Sequence, residues 1–161
     1  MNKIQAEKPD VGRWQGTTLA EYVALRNGVP LGDGRSLRNM LQRSFGAASF
    51  AGFWQQWNPI WGYGLGRYVY APLRRVLHPA VALILTFAIS GGLHDLATMA
   101  VSWSPAFLFT PWFVLMGMGA VLGRAAGMDL GKRPFWVRAG VNLAYLVVCL
   151  LPALAVRNAI L

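Results

Sequence analysis

The chain has 161 residues, of which 55% are hydrophobic and 13% charged, and its net charge is +9. Soluble domains carry about a quarter charged residues, so this composition argues against an ordinary soluble domain and favours one that lies in a bilayer. The positive charges lie beside hydrophobic runs rather than over a soluble face, which argues against a nucleic-acid-binding protein. One cysteine and two histidines leave neither a disulfide framework nor a histidine-based metal site.

The first predicted unit is a polar, basic segment over residues 1–44, which we expect on the cytoplasmic side. Thr18 and Glu21 have the spacing of a capping box and Gly28 is a suitable stop, so a short helix is predicted between them. A second helix is predicted from Ser36, because the apolar side chains of SLRNMLQRSF share one face. A basic amphipathic helix at this place is typical of the lipid head-group region, and ordinary packing against neighbouring helices is the alternative.

The remaining residues, 45–161, are predicted to form an all-α integral membrane domain. Three apolar runs, about 79–101, 105–123 and 135–156, each approach the roughly 20 residues that cross a hydrocarbon core. Basic residues lie before the first run and between the second and third, whereas the short linker after the first run has no charge. The positive-inside rule therefore predicts a multi-pass protein with a cytoplasmic N-terminus.

The segment 45–66 is aromatic, but Gln55, Gln56 and Asn58 interrupt it at its centre. A crossing at this place would move the basic N-terminal segment to the outer side. We therefore predict a re-entrant or interfacial element, whose backbone must be satisfied by protein or water. A crossing helix is the alternative.

The first predicted span carries a polar stripe, because hydroxyl side chains and one histidine recur every four residues: Thr86, Ser90, His94, Thr98 and Ser102. Gly91 and Gly92 lie beside the stripe and permit the close approach of a backbone or a thin ligand. Asp95 lies about 100° around the helix from His94, so the two side chains are not expected to pair. The carboxylate should instead find an arginine, a backbone donor or a polar pocket. From the residues alone, His94 is either a catalytic group or a neutral histidine bonded to a neighbouring helix.

Two stretches together resemble a known family: FWQQWNPIWGYGLGRYVYAPLRR, which begins at Phe53, and LTFAISGGLHDL, which follows it. They are similar to the membrane-bound O-acyltransferases, in which an aromatic segment and a tyrosine-rich stretch precede a helix with an intramembrane histidine. The resemblance covers about residues 36–100. His94 matches the family histidine, and Asn58 matches the polar partner that precedes it.

The resemblance implies transfer of an acyl group to a hydroxyl acceptor. The donor would be acyl-CoA or a similar thioester, bound as a substrate and not as a permanent cofactor. His94 would be the general base, and Asn58 would orient the acceptor or stabilise the oxyanion. Further residues are expected at the substrate: Trp54, Trp57, Ser90, Arg67, Arg74 and Arg75. For the three arginines, lipid anchoring is an alternative role.

Two other functions stay open. The chain could be a non-catalytic relative that serves as an accessory subunit of a larger membrane complex, with its aromatic faces and polar stripe binding lipid or neighbouring helices. It could also be a small transporter or channel component, with the stripe lining a pathway. The expected partners are membrane lipids and either further copies of the chain, which would complete the cavity of an enzyme, or other membrane subunits.

Overall fold

The computed structural model describes residues 16–160, and every regular element within them is helical, so the predicted all-α class is confirmed. The part of the predicted N-terminal segment before residue 16 lies outside the described residues. In chain order the elements are α1 (Leu19–Asn27), α2 (Ser36–Phe45), α3 (Phe50–Gln56), α4 (Pro59–Leu65), a π-helical stretch (Gly66–Tyr70), α5 (Ala71–Leu73), α6 (Pro79–Ser102), α7 (Phe109–Ala125) and α8 (Phe135–Ile160).

Local sequence signals set the ends of α1. The Thr18 hydroxyl accepts from the backbone N–H of Glu21 at 3.3 Å, and the Glu21 carboxylate accepts from the backbone N–H of Thr18 at 2.8 Å, so the predicted capping box is confirmed. The backbone N–H of Thr18 and its hydroxyl both donate to this carboxylate, and these two hydrogen bonds lower the pKa of Glu21 below its ordinary value. Gly28 ends the helix with φ 74°, a left-handed conformation that glycine adopts without strain.

The second helix begins at Ser36, as predicted, but only part of its apolar face is packed, with Phe45 lying against the buried core. Leu37 and Leu41 are exposed, whereas Ser44 is buried. At its end, the Asn142 amide donates to the carbonyl oxygens of Phe45 and Ala47 at 3.2 and 3.1 Å, satisfying acceptors that a helix end leaves open. A residue of α8 therefore fixes the end of α2.

The aromatic segment is broken into two short helices. Asn58 adopts φ 40° and ψ 71°, which interrupts the helix after Trp57, and Pro59 then occupies the first turn of α4, where proline is favoured. At seven residues each, α3 and α4 are each about 10 Å long. Neither helix could cross a bilayer alone, and the re-entrant or interfacial placement of the segment stays a prediction.

Within residues 16–160, two helices are long and apolar enough to cross a membrane: α6 with 24 residues and α8 with 26. Only 28% of the most apolar window of α6 and 11% of that of α8 is buried. An exposed apolar surface of this kind suits lipid better than water.

The helix in the region of the middle predicted span, α7, has 17 residues and begins at Phe109, not near residue 105. The start of the predicted span is thus displaced: Trp103 ends α6 in a left-handed conformation with φ 53°, and the chain stays irregular up to α7. The count of three spans stays a prediction.

The joint between α6 and α7 is built on a glycine and a carboxylate. A Cβ atom at Gly91 would lie 2.6 Å from the carbonyl oxygen of Phe109, so only glycine lets the two backbones approach this closely. Asp95 accepts from the backbone N–H groups of Leu108, Phe109 and Thr110 at 3.0, 2.9 and 2.8 Å, and from the Thr110 hydroxyl at 2.6 Å. The expected backbone donors are therefore confirmed, and Asp95 caps a helix to which it does not belong.

The buried core lies where α3 meets α6 and α7 and consists of Phe50, Phe53, Phe87, Met116 and Ala120. Tyr145 of α8 stacks on Phe50 with ring centroids 4.6 Å apart. The aromatic helix α3 is thus held between the long helices, next to the face of α6 that carries the polar stripe.

Candidate active site

A cavity of about 460 Å³ lies among α1, α3, α4, the π-helical stretch, α6 and α7. This volume lies within the range of small-molecule sites. The structure brings five of the predicted site residues to its wall: Trp54, Trp57, Asn58, Ser90 and His94. Of the polar stripe, Thr86 also lines the cavity, whereas Thr98 and Ser102 do not.

His94 is held by its own helix. Its Nδ1 lies 2.7 Å from the carbonyl oxygen of Ser90, one turn earlier. A carbonyl oxygen can only accept, so Nδ1 carries the hydrogen in this bond, and a neutral imidazole then has its lone pair on Nε2. Within residues 16–160, Nε2 has no hydrogen-bond partner. The geometry thus leaves the nitrogen that could accept a proton free.

Three aromatic rings surround the imidazole of His94. The Trp61 ring lies nearly perpendicular to it, with centroids 5.9 Å apart and an interplanar angle of 87°, and the ring centroids of Phe109 and Phe113 lie at 5.6 and 5.1 Å. Because Phe109 is fixed by Asp95, the joint between α6 and α7 also sets one side of this enclosure.

Asn58 has a structural role within the cavity wall. Its Oδ1 accepts from the backbone N–H of Trp61 at 3.2 Å and so caps α4, which leaves the amide Nδ2 as a donor. The Nε1 of Trp61 in turn donates to the hydroxyl of Ser90 at 2.9 Å. A chain of three hydrogen bonds thus connects Asn58 to His94 through Trp61 and Ser90.

The sequence model of the membrane-bound O-acyltransferase (MBOAT) family matches residues 14–154 of the chain. The chain belongs to this family. The resemblance inferred over residues 36–100 is thereby confirmed and extended towards both ends. No curated protein and no solved structure matches the chain.

Family membership and the apolar helices α6 and α8 make this MBOAT protein an integral membrane protein with an acyltransferase-like function. Its exposed apolar side chains on α6, such as Leu93 and Leu96, lie on the same helix as the buried Ser90 and Asp95. One helix therefore separates a lipid-compatible surface from the cavity.

The three arginines predicted at the substrate of this MBOAT protein do not line the cavity. Arg67 donates to the Tyr63 hydroxyl at 2.6 Å, and Arg74 donates to the carbonyl oxygen of Leu77 at 2.7 Å. Arg75 is exposed. Their predicted contact with a substrate stays a prediction, and no cavity contact supports it.

Other residues of the cavity were missed by sequence reasoning. Arg26, in the last turn of α1, and Arg124, in the last turn of α7, both line it. Arg26 donates to Gln55 Oε1 at 3.3 Å, a contact between residues 29 positions apart that no local pattern reveals. The sequence places Trp61 within an aromatic segment but does not single it out. Its spacing from Asn58, at the third position of α4, was the one available signal.

Proposed function

We propose that the protein transfers an acyl group from acyl-CoA, or a similar thioester, to a hydroxyl acceptor, with His94 as the general base. The observation that carries this proposal is the hydrogen bond between His94 Nδ1 and the Ser90 carbonyl, which leaves Nε2 free on a cavity wall. Family membership supports the reaction class.

In the proposed reaction, Nε2 of His94 accepts the proton of the acceptor hydroxyl while that oxygen attacks the thioester carbonyl carbon. The carbonyl π electrons move onto oxygen, which becomes an oxyanion in a tetrahedral intermediate. When the intermediate collapses, the C–S bond breaks and the ester forms. The thiolate then receives the proton from the imidazolium, so that His94 returns to its neutral state.

Asn58 is proposed to donate from Nδ2 to the developing oxyanion. Its Oδ1 already accepts from the Trp61 backbone, so donation is the contact that its side chain has left to offer. Donors placed at an oxyanion typically contribute about 10²- to 10³-fold in kcat. Its position on the same cavity wall as His94 supports this role.

The two ends of a thioester donor differ in chemistry, and so do the walls of the cavity. We propose that Trp54 and Trp57 contact the acyl chain and that Arg26 and Arg124 hold the phosphates of the donor, for which guanidinium groups are well suited. We propose that anionic lipid head groups attract Arg67, Arg74 and Arg75, which is the alternative role given above.

Lipids are the proposed surroundings of α6 and α8, whose exposed side chains are largely apolar. A cytoplasmic N-terminus is proposed from the positive-inside rule, because basic residues are frequent in residues 1–44. The proposed partners are further copies of this chain or other membrane subunits. Native mass spectrometry of gently extracted membranes would detect either kind of partner.

The test is the transfer of radiolabelled palmitate from palmitoyl-CoA to hydroxyl groups of lipids and proteins in membranes that contain the full chain. His94→Ala should lower the rate by about 10²- to 10⁴-fold, the usual contribution of a general base. His78→Asn is the matched control, because it replaces the other histidine, which lies outside the cavity and caps α6, by a residue that can still cap. Turnover that survives in His94→Ala would exclude the general-base role.

Asn58→Asp separates the two tasks of Asn58. Aspartate keeps an oxygen that can cap α4 but lacks the amide donor. We expect an intact fold and a rate that falls by about 10²-fold or more. An unchanged rate would limit Asn58 to its structural role.

A further inference from the structure

We propose that Trp61 is a positioning residue for His94. Its indole, anchored on Ser90, holds the imidazole in the orientation in which Nδ1 donates and Nε2 accepts. The catalytic consequence of this inference rests on the proposed function, whereas the orientation of the imidazole can be measured without it.

Two contacts of one indole carry the inference. The Nε1 of Trp61 donates to the Ser90 hydroxyl at 2.9 Å, and the same ring lies nearly perpendicular to the imidazole of His94, with the two ring centroids 5.9 Å apart. The carbonyl that accepts from His94 Nδ1 also belongs to Ser90. Trp61 thus fixes the residue that orients the histidine and, at the same time, packs against the histidine itself.

The geometry requires a tryptophan and not merely an aromatic ring, because the contact with Ser90 uses the indole N–H. Indole Nε1–H is a donor only, so in this hydrogen bond Trp61 donates and the Ser90 hydroxyl accepts. The side chain remains 40% exposed, so burial alone does not account for its place. Its backbone N–H is bonded to Asn58 Oδ1, which fixes the turn of α4 that presents the indole to α6.

Rotation of the imidazole is what these contacts oppose. Phe109 and Phe113 lie at 5.6 and 5.1 Å from the His94 ring and do not offer a hydrogen-bonding group. The Ser90 carbonyl is therefore the protein acceptor that distinguishes the two ring nitrogens. Without the indole, the imidazole gains room to leave that acceptor, and the two neutral tautomers become closer in free energy.

The first experiment measures the tautomer of His94 directly. Histidine-selective ¹³C and ¹⁵N labelling of the full chain in lipid nanodiscs, on a His78→Asn background, leaves signals from His94 alone. Trp61→Phe retains a ring but removes the donor. Trp136→Phe is the matched control, because Trp136 is 81% exposed and does not line the cavity.

At a pH where His94 is neutral, we expect the Nδ1–H form to predominate in the parent protein and in Trp136→Phe. Trp61→Phe and Ser90→Ala should show a mixture of the two tautomers. A Trp61→Phe protein with the tautomer of the parent would overturn the inference.

The second experiment measures kinetics with palmitoyl-CoA. A misoriented base impairs the transition state more than donor binding, so Trp61→Phe should lower kcat about tenfold with KM nearly unchanged. Failure of the two proposals can be told apart. A parent protein without acyl transfer whose tautomer still responds to Trp61→Phe refutes the proposed function and supports the positioning role. An active parent whose tautomer and kcat ignore the substitution refutes the positioning role.

Discussion

The Nε1 of Trp61 lies 2.9 Å from the hydroxyl oxygen of Ser90, a contact that joins the aromatic helix α4 to the long helix α6 across 29 residues of sequence. It connects two parts of the sequence that the family resemblance placed in order but not in contact. Asn58, Trp61, Ser90 and His94 are consequently linked by hydrogen bonds, and substitutions among these residues should not act independently.

A double-mutant cycle with Trp61→Phe and Ser90→Ala should reveal this connection. Each single change removes one partner of the same hydrogen bond, so the double variant should be less destabilised than the sum of the single variants, by about 1 kcal/mol. The measurement is the free energy of unfolding from titration with a denaturing detergent. Strictly additive effects would show that the contact contributes nothing to stability.

Asp95→Asn should destabilise the packing of α6 against α7. The carboxylate accepts hydrogen bonds from three backbone N–H groups and one hydroxyl. An amide has one oxygen, and its NH₂ group can only donate, so it cannot accept all four hydrogen bonds. Hydrogen bonds to a charged group are worth about 1.5–3 kcal/mol each, so we expect a loss of about 2 kcal/mol or more in the free energy of unfolding.

Asp129→Asn provides the comparison for Asp95→Asn. Asp129 is exposed and bonds to the backbone of Gly131, so the same chemical change should have little effect there. Equal effects at both positions would mean that Asp95 does not fix the two helices.

Gly91→Ala should force α6 and α7 apart. The added Cβ would lie 2.6 Å from the Phe109 carbonyl oxygen and 2.8 Å from the Thr110 Cα, and both of these are backbone atoms. Overpacking of this kind typically costs about 1–3 kcal/mol, and acyl transfer should fall as well, since Phe109 flanks His94.

Gly64→Ala is the control for Gly91→Ala, because nothing lies within 4 Å of its Cβ position in α4. Alanine is a better helix former than glycine by roughly 0.8–1.0 kcal/mol, so this variant should be at least as stable as the parent. A Gly91→Ala protein of parental stability would contradict the close approach of the two backbones.

Arg26→Gln and Arg124→Gln test the proposed donor site. If these guanidinium groups hold phosphates, their loss should raise KM for palmitoyl-CoA by about tenfold per residue, the equivalent of one charge-assisted contact, while kcat changes little. Arg75→Gln removes an exposed positive charge outside the cavity and should leave KM unchanged. A larger rise in KM for Arg75→Gln than for Arg26→Gln would indicate that the donor phosphates bind near the tyrosine-rich stretch instead.

Sequence reasoning succeeded where the physical cause is local. The capping box of Thr18 and Glu21, the stop at Gly28 and the start of α2 at Ser36 each depend on a few neighbouring residues, and each is present. Asn58 and His94, which the family resemblance singled out, both line one cavity. Their catalytic roles stay predictions.

Tertiary contacts account for what the sequence did not predict. α7 begins at Phe109 because Asp95 takes the first backbone N–H groups, and no property of residues 105–108 indicates this. Arg26 lines the cavity because α1 packs against α4, and the hydropathy of the sequence does not predict that packing. The exposure of Leu37 and Leu41 likewise depends on which side of α2 the rest of the chain occupies.

The helix cap provided by Asp95 also has a consequence for biogenesis. A lone aspartate in the middle of an inserting helix costs about 3 kcal/mol on translocon scales, and its partners here come from the chain made immediately afterwards. Insertion of α6 ahead of α7 would leave that carboxylate unsatisfied among lipid tails. We therefore expect α6 to leave the translocon together with the first turn of α7, as a preformed hairpin, and nascent chains that end before Leu108 should integrate less efficiently than chains that extend past Thr110.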